Sequence, residues 1–516
     1  MSEKPRAAQF LCIVNASRKM SWRKRTCTVC AAFAATAMAL PAQTFTTLHS
    51  FDGTDGYFPE VAVLVQGIDG NLYATVPDGG TNGDGGTVFK ITPSATFTTI
   101  YNFCLQSGCT DGAFPDAGLV QATNGDFYGT TGEGGANGGA NCAPDGGCGT
   151  VFKITASGDL TTLYGFCAKS GCTDGRLPIG TLVNATNGNF YGTTNEGGVS
   201  TCAVSGLSCG TVFKITPSGK LTTLHSFDGT DGVWPEAGLV QATNGDFYGT
   251  TSYAGANGWG TVFKITPSGT LTTLHSFGGA DGAQPSAGLV QATNGDLYGT
   301  TWQGGSSNPA GCYGRGCGTV FKITPSGTLT TLYSFCSESG CADGELPLAG
   351  LVQATNGDFY GTTSSGGANG GGTVFRITPR GKLTTLYSFC SQGGNQCTDG
   401  YRPQAGLAQA TNGDFYGTTF DGGANGHGTI FSLSVGLGPF VETQPTSGKV
   451  GAAIQILGTD LTGATTVAFN GTSAAFTVVS PNLITTTVPT GATAGTVQVM
   501  TPSGTLLSNV PFRVLP

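Results

Sequence analysis

Between Thr44 and Leu433, short apolar runs broken by polar and glycine-rich stretches recur in one order, seven times over. The most regular copy reads Leu-Val-Gln-Ala, then Phe-Tyr-Gly-Thr-Thr, then Thr-Val-Phe-Lys-Ile-Thr, then Leu-Thr-Thr-Leu-His/Tyr-Ser-Phe. Runs this short, rich in β-branched and aromatic residues, predict strands. Asn-Gly between the first two runs is the strongest short-range hairpin signal, and Pro-Ser-Gly makes a second tight turn. No segment of residues 43–438 carries a helical period with caps. Each copy therefore predicts four antiparallel strands.

Equivalent tyrosines (Tyr73, Tyr128, Tyr191, Tyr248, Tyr298, Tyr360 and Tyr416) lie 50 to 63 residues apart. Four strands at that period fit a β-propeller, whereas a solenoid needs shorter coils. The two ends of the array are complementary: Thr44–Phe51 is a lone fourth-strand element, and the copy ending near Leu433 lacks one. The expected fold class is all-β, a seven-bladed β-propeller closed by the N-terminal strand. Pairing of that segment with residues 428–433 would leave no extra edge.

Residues 439–516 have a different pattern, running through Ile454-Gln455-Ile456-Leu457-Gly458, Val467-Ala468-Phe469-Asn470-Gly471, Ile484 to Pro489 and Val497-Gln498-Val499. Alternating strands with such turns predict an immunoglobulin-like β-sandwich. Residues 1–42 form a third region. Arg18, Lys19, Arg23, Lys24 and Arg25 precede an apolar run over about 26–40 and then Pro41-Ala42. This reads as a secretory signal peptide, with Met20 as an alternative start. No later segment is long enough for a bilayer span, and neither Cys27 nor Cys30 has a lipoprotein setting. The chain is expected to be secreted or extracytoplasmic.

Charged residues are only 10% of the 516 and glycine accounts for 87, but 38% hydrophobic content argues against disorder. Without residues 1–42, which carry seven Lys/Arg and one Glu, 15 basic and 29 acidic residues remain, a balance of −14. An acidic chain without basic clusters is a poor partner for nucleic acid.

Outside the leader, 14 cysteines form seven close pairs: Cys104/Cys109, Cys142/Cys148, Cys167/Cys172, Cys202/Cys209, Cys312/Cys317, Cys336/Cys341 and Cys390/Cys397. Where Phe103–Gly112 has Phe-Cys-x4-Cys-Thr-Asp-Gly, Phe227–Gly232 has Phe-Asp-Gly-Thr-Asp-Gly, so both cysteines are present or both absent. Disulfides require that, and an exported chain permits them. Metal binding is the rival reading, but four to six intervening residues do not make a Cys-x2-Cys framework. Such short loops gain only about 2 kcal/mol each, so they pin loop shape. All seven pairs, and all variation in length, fall in the fourth-to-first and second-to-third connections. One face is uniform and the other elaborated, and function is expected on the elaborated one.

The repeats resemble the tandem repeat called GloVer, through Gly-Leu-Val-Gln-Ala-Thr-Asn-Gly-Asp-Phe-Tyr-Gly-Thr-Thr at 238–251 and Gly-Thr-Val-Phe-Lys-Ile-Thr-Pro-Ser-Gly at 260–269. The resemblance covers nearly all of 44–433 and implies an exported bacterial protein, often surface-anchored, with no established activity. The end of this chain departs from the anchored pattern, having no hydrophobic-plus-basic sorting tail. The final segment resembles an IPT/TIG immunoglobulin-like domain, through Ile456-Leu457-Gly458, Phe469-Asn470-Gly471 and Val488-Pro489. In secreted bacterial proteins that resemblance implies a spacer or accessory module.

Chemistry is sparse. The chain has no His-Glu-x-x-His or Gly-x-x-x-x-Gly-Lys, and no cofactor or metal is expected. His49, His225 and His275 take the slot held by Tyr101, Tyr164, Tyr333 and Tyr387 in other copies, which predicts packing or hydrogen bonding. His427 reads as a solvated loop residue. Every copy carries Asp-Gly-x-x-Pro, at Asp55, Asp111, Asp174, Asp231, Asp281, Asp343 and Asp399. These aspartates form either a carboxylate ring or a set of turn caps, and presence in every copy favours the caps. Trp234, Trp259 and Trp302, with Tyr253 and Tyr313, are confined to the elaborated loops of the fourth and fifth copies. Aromatic platforms bind sugar rings or peptides, so these five are the candidate ligand-binding residues, against inter-blade packing as the alternative. The functional expectation is a binding module for an extracellular glycan or protein rather than an enzyme. The alternatives are a polysaccharide hydrolase or lyase using Glu60, Glu236 and Glu345, and a structural surface protein.

Overall fold

The computed structural model describes residues 43–60, 63–137, 142, 147–198, 209–306, 312, 314–392 and 397–516. Residues 1–42, where a signal peptide is expected, Cys202 and Tyr313 lie outside the described residues. The described chain is all-β, its helical content being three 3-10 turns at Ser107–Cys109, Ser170–Cys172 and Ser339–Cys341.

The repeats fold as four-stranded antiparallel sheets, seven in number among the described residues. The fourth is representative: Val240–Gln241, Phe247–Thr251, Thr261–Ile265 and Leu271–Ser276 pair in sequence order. In the seventh sheet, Ala408–Gln409, Phe415–Thr419 and Thr429–Ser434 are completed by Thr44–Ser50, with Phe45 opposite Leu433 and Ser50 opposite Thr429. The N-terminal segment thus takes the fourth-strand position expected from the split copy.

Second strands are buried along their whole length, because each sheet is packed against neighbours on both faces. Three sets of contacts link consecutive sheets. The Phe after each fourth strand meets the third-strand Phe of the next sheet edge-on, from Phe103–Phe152 to Phe389–Phe431 at 5.2 Å, and Phe51–Phe89 at 5.8 Å links the seventh sheet to the first. The second-strand Thr hydroxyl donates to a carbonyl entering the next sheet, as Thr193 to Ala237 at 2.9 Å, and Thr418 donates to Pro59 at 2.9 Å. Gln side chains of the first strands accept from the preceding sheet's turn, and Thr411 N donates to Gln66 at 2.8 Å. All three series return from sheet seven to sheet one.

Glycine allows the first strands to approach. A Cβ on Gly238 would lie 2.3 Å from the Thr181 carbonyl oxygen, and one on Gly350 2.9 Å from that of Gly288.

The tail is a two-sheet sandwich. Glu442–Gln444, Ala453–Leu457, Leu483–Thr487 and Phe476–Ser480 form one sheet, and Thr472–Ala474, Thr466–Phe469, Val497–Thr501 and Gly504–Leu507 form the other. Ile456, Val467, Phe469, Ile484, Val499 and Phe512 are buried between them. Thr411 Oγ1 and Thr459 Oγ1 are 2.9 Å apart, and Asn482 Nδ2 donates to the Asp69 carbonyl at 3.1 Å. Both contacts fall on first-to-second-strand turns, so the tail meets the uniform face.

Candidate ligand-binding face

On the elaborated face, each fourth-to-first connection is built around the Asp of Asp-Gly-x-x-Pro. Asp111 is fully buried and accepts from Tyr101 Oη at 2.8 Å, Leu105 N at 3.1 Å and Gln106 N at 3.2 Å. Asp174, Asp343 and Asp399 repeat this with Tyr164, Tyr333 and Tyr387. Where the loop lacks cysteines, His replaces Tyr: His49–Asp55 and His275–Asp281 at 2.7 Å, His225–Asp231 at 2.6 Å. The carboxylates are therefore turn caps facing inward, and the histidines are their partners. Tyr accompanies the longer disulfide loop and His the shorter loop, where the bond spans six residues rather than ten or twelve.

Six cysteine pairs are bonded in the described residues: Cys104–Cys109, Cys142–Cys148, Cys167–Cys172, Cys312–Cys317, Cys336–Cys341 and Cys390–Cys397. Cys209 is also disulfide-bonded.

Both elaborated loops of each sheet are joined by a bridge, such as Val233 with Tyr253 or Tyr401 with Asp421. The residue before each proline then adopts the left-handed region: Phe58, Phe114, Leu177, Trp234, Gln284, Leu346 and Arg402, all with φ between 52° and 58°. Its N–H donates to the preceding sheet's loop, as Trp234 to Cys209 O at 3.2 Å and Gln284 to Trp259 O at 3.0 Å. A non-glycine residue in this region costs of order 1 kcal/mol. In a chain with 87 glycines, none of the seven positions is glycine. The backbone is constant there while the side chain changes.

The four predicted aromatics among the described residues all belong to this arrangement, Tyr253 through its bridge to Val233 and Trp259 through the carbonyl that accepts from Gln284 N. Trp234 occupies a left-handed position and packs edge-on against Tyr253 at 5.0 Å. Trp302 N donates to Gln284 O at 3.0 Å. Trp259 packs on a core that includes Val262 and Phe277, with the Arg315 guanidinium 5.9 Å above its ring, and Trp234 and Tyr253 pack on one that includes Val233, Leu239 and Phe263. The indole nitrogens of Trp234 and Trp302, and Oε1 of the buried Gln284, have no hydrogen-bond partner. Between them, Ser252 donates to Glu236 at 2.7 Å and its hydroxyl lies 3.4 Å from that of Ser286. Burial pushes the Glu236 carboxyl up, against opposing bonds from both serines.

Electrostatics do not link Glu60, Glu236 and Glu345 to one another among the described residues. Glu60 belongs to a different group. Burial first, then Glu60, Asp78 and Glu133, push Asp116 up to about 8. Next to this acidic arc, Phe58 stacks on Phe420 at 4.7 Å and Arg402 lies 5.2 Å over the Phe420 ring. His427 is half-buried near Tyr57 and Phe58, rather than solvated as its sequence context suggests. A cleft of about 210 Å³ is lined by Glu133, Cys142, Cys148, Arg176, Leu177 and Glu196. The seven left-handed positions and Asp116 were missed in the sequence. Their signal was a position varying beside an unvarying proline.

Repeated four-stranded sheets with an immunoglobulin-like tail define an all-β repeat protein with an accessory domain. The Gloeobacter/Verrucomicrobia repeat matches residues 34–206, 144–354 and 199–431, and the chain belongs to that family. Residues 441–514 match the IPT/TIG domain. No curated protein matches the sequence. Among solved structures, the chain is 14% identical to a streptogramin B lyase, covering 76% of this chain and 97% of that one with a TM-score of 0.47. It is 14% identical to a fungal alcohol oxidase of the AA5 family in complex with copper (89% and 98% covered, TM-score 0.49). It is 13% identical to the hydrazine synthase of Kuenenia stuttgartiensis (72% and 96% covered, TM-score 0.46). No helix of the described residues is long and apolar enough to cross a membrane.

Proposed function

We propose that this chain is an exported interaction scaffold, a seven-bladed β-propeller closed by its N-terminal strand, which binds an extracellular glycan or protein on its elaborated face. The observation that carries this reading is the ring of seven left-handed, non-glycine positions. Strain kept at every copy, with the side chain varied, suits a surface selected for contact rather than for blade geometry alone. Trp234, Tyr253 and Trp302 supply the aromatic arc, with Trp259 as a flanking candidate. Glu60, Asp78, Asp116 and Glu133 supply an acidic arc. The tail contacts the opposite face, which leaves the loops accessible. The leader at 1–42 and the disulfides are consistent with export.

A glycan array and a pull-down from spent culture medium, each run with wild type and with a Trp234/Trp302 double alanine variant, test the reading. Binding lost in the folded variant supports it. Release of products from polysaccharide would instead favour a hydrolase or lyase. Binding that survives the substitution would remove the aromatic arc from the site.

A further inference from the structure

Two disulfides in the fifth repeat lie side by side. Sγ of Cys312, Cys317 and Cys336 and a carboxylate oxygen of Glu345 are all within 4.8 Å of one another. Cys312 and Cys317 are fully buried. Glu345 Oε2 is 3.1 Å from Cys312 Sγ, and a disulfide sulfur carries no proton to donate. The second repeat provides a comparison within the molecule. There Cys142, Cys148 and Cys167 cluster in the same way, but the position after Asp-Gly is Arg176, paired with Glu196. Only the fifth repeat brings three sulfurs and an anionic oxygen together among the described residues.

We propose that reduction of Cys312–Cys317 and Cys336–Cys341 converts this cluster into a zinc-class metal site with Cys312, Cys317, Cys336 and Glu345 as ligands. Each disulfide takes two electrons and two protons from an external dithiol, which leaves as its cyclic disulfide, or two electrons from a phosphine and two protons from water, whose oxygen leaves in the phosphine oxide. The metal ion then displaces the protons of three thiols, and Cys341 stays a free thiol. Three thiolates and a carboxylate are a donor set that zinc accepts in tetrahedral geometry. Bond lengths of about 2.3 Å to sulfur and 2.0 Å to oxygen place ligand atoms about 3.5–3.8 Å apart, so side-chain rotations suffice. The backbones of Cys317, Cys336 and Glu345 are held by hydrogen bonds besides the disulfides. Cys336 N donates to Gly344 O at 3.1 Å, Leu346 N to Cys317 O at 2.8 Å and Glu345 N to Ser365 O at 2.9 Å. The disulfide form and the metal form would thus be alternative staples for the same two loops.

Cobalt(II) titration of the full chain, reduced with a phosphine under inert gas, tests this, with far-ultraviolet circular dichroism to follow the fold. Wild type should take up one equivalent more than a Cys336→Ser variant, with the visible bands of tetrahedral cobalt thiolate, displaced by zinc. Glu345→Gln should weaken that equivalent about tenfold or more. Arg176→Glu should add a second equivalent at the other sulfur cluster. Equal uptake by wild type and Cys336→Ser, equal uptake by oxidised and reduced chains, or loss of the β-sheet signal on reduction would each overturn the proposal.

Discussion

Replacing Phe45 by alanine tests the pairing on which the proposed ring depends. Phe45 sits opposite Leu433 in the N-terminal strand, and its ring stacks on Tyr387 at 3.9 Å, on Phe431 at 5.3 Å and edge-on to Phe389 at 5.7 Å. It therefore joins the sixth and seventh sheets across the chain's own terminus. Truncating a core Phe costs about 3–5 kcal/mol, and partial exposure lowers this to about 2–4 kcal/mol here. Urea unfolding followed by intrinsic fluorescence measures the change, and Thr46→Ala, on the exposed side of the same strand, should stay within about 0.5 kcal/mol of wild type. Limited proteolysis adds position: cuts should appear first in residues 429–434, whose strand would become an edge. A Phe45→Ala chain as stable as the Thr46→Ala chain would mean that the N-terminal segment is not docked, and the ring would fall with it.

Asp111→Ala removes three hydrogen bonds to a fully buried carboxylate and should cost about 3–5 kcal/mol in a denaturant titration. Asp281→Ala, with a partly exposed carboxylate bonded to His275 and Gly278 N, should cost about half that. Equal losses would refute the clamp. Burial, helped by the Asp343 and Asp399 carboxylates and opposed by Ser337 and Ser391, pushes the Tyr333 and Tyr387 hydroxyls up to about 12. Their stabilising effect is complete below the unfolded-state value near 10 and is lost as pH rises through about 12. Urea midpoints from pH 9 upward should therefore fall more steeply for wild type than for a Tyr333→Phe/Tyr387→Phe chain. In Gly249→Ala the new Cβ would lie 2.6 Å from the Phe263 ring and 2.7 Å from Leu239, so a loss of about 1–3 kcal/mol in thermal unfolding is expected. An unchanged melting temperature would show that the Phe263 ring can move aside; the first copy carries Ala74 at this position.

Much of the architecture was legible because local chemistry repeats. Asn-Gly and Pro-Ser-Gly mark turns wherever they occur, and seven recurrences turn a weak strand signal into a firm one. The paired presence of cysteines announced the disulfides. The function of the aspartates was harder to read. A carboxylate bonded to a tyrosine 10 residues earlier and to two backbone N–H groups looks the same in sequence as one facing solvent. His427 was misread for the same reason, since the aromatic rings beside it come from the first repeat.

By itself, the sequence determined strand content, the period, the staples and the split copy, because each rests on residues close together in the chain. The tertiary structure alone decided the seven left-handed positions, the acidic arc and the sulfur cluster beside Glu345. Those groupings depend on contacts between loops well separated along the chain, such as Cys312 and Glu345 at 33 residues, where packing and electrostatics act through space and leave no local period to read.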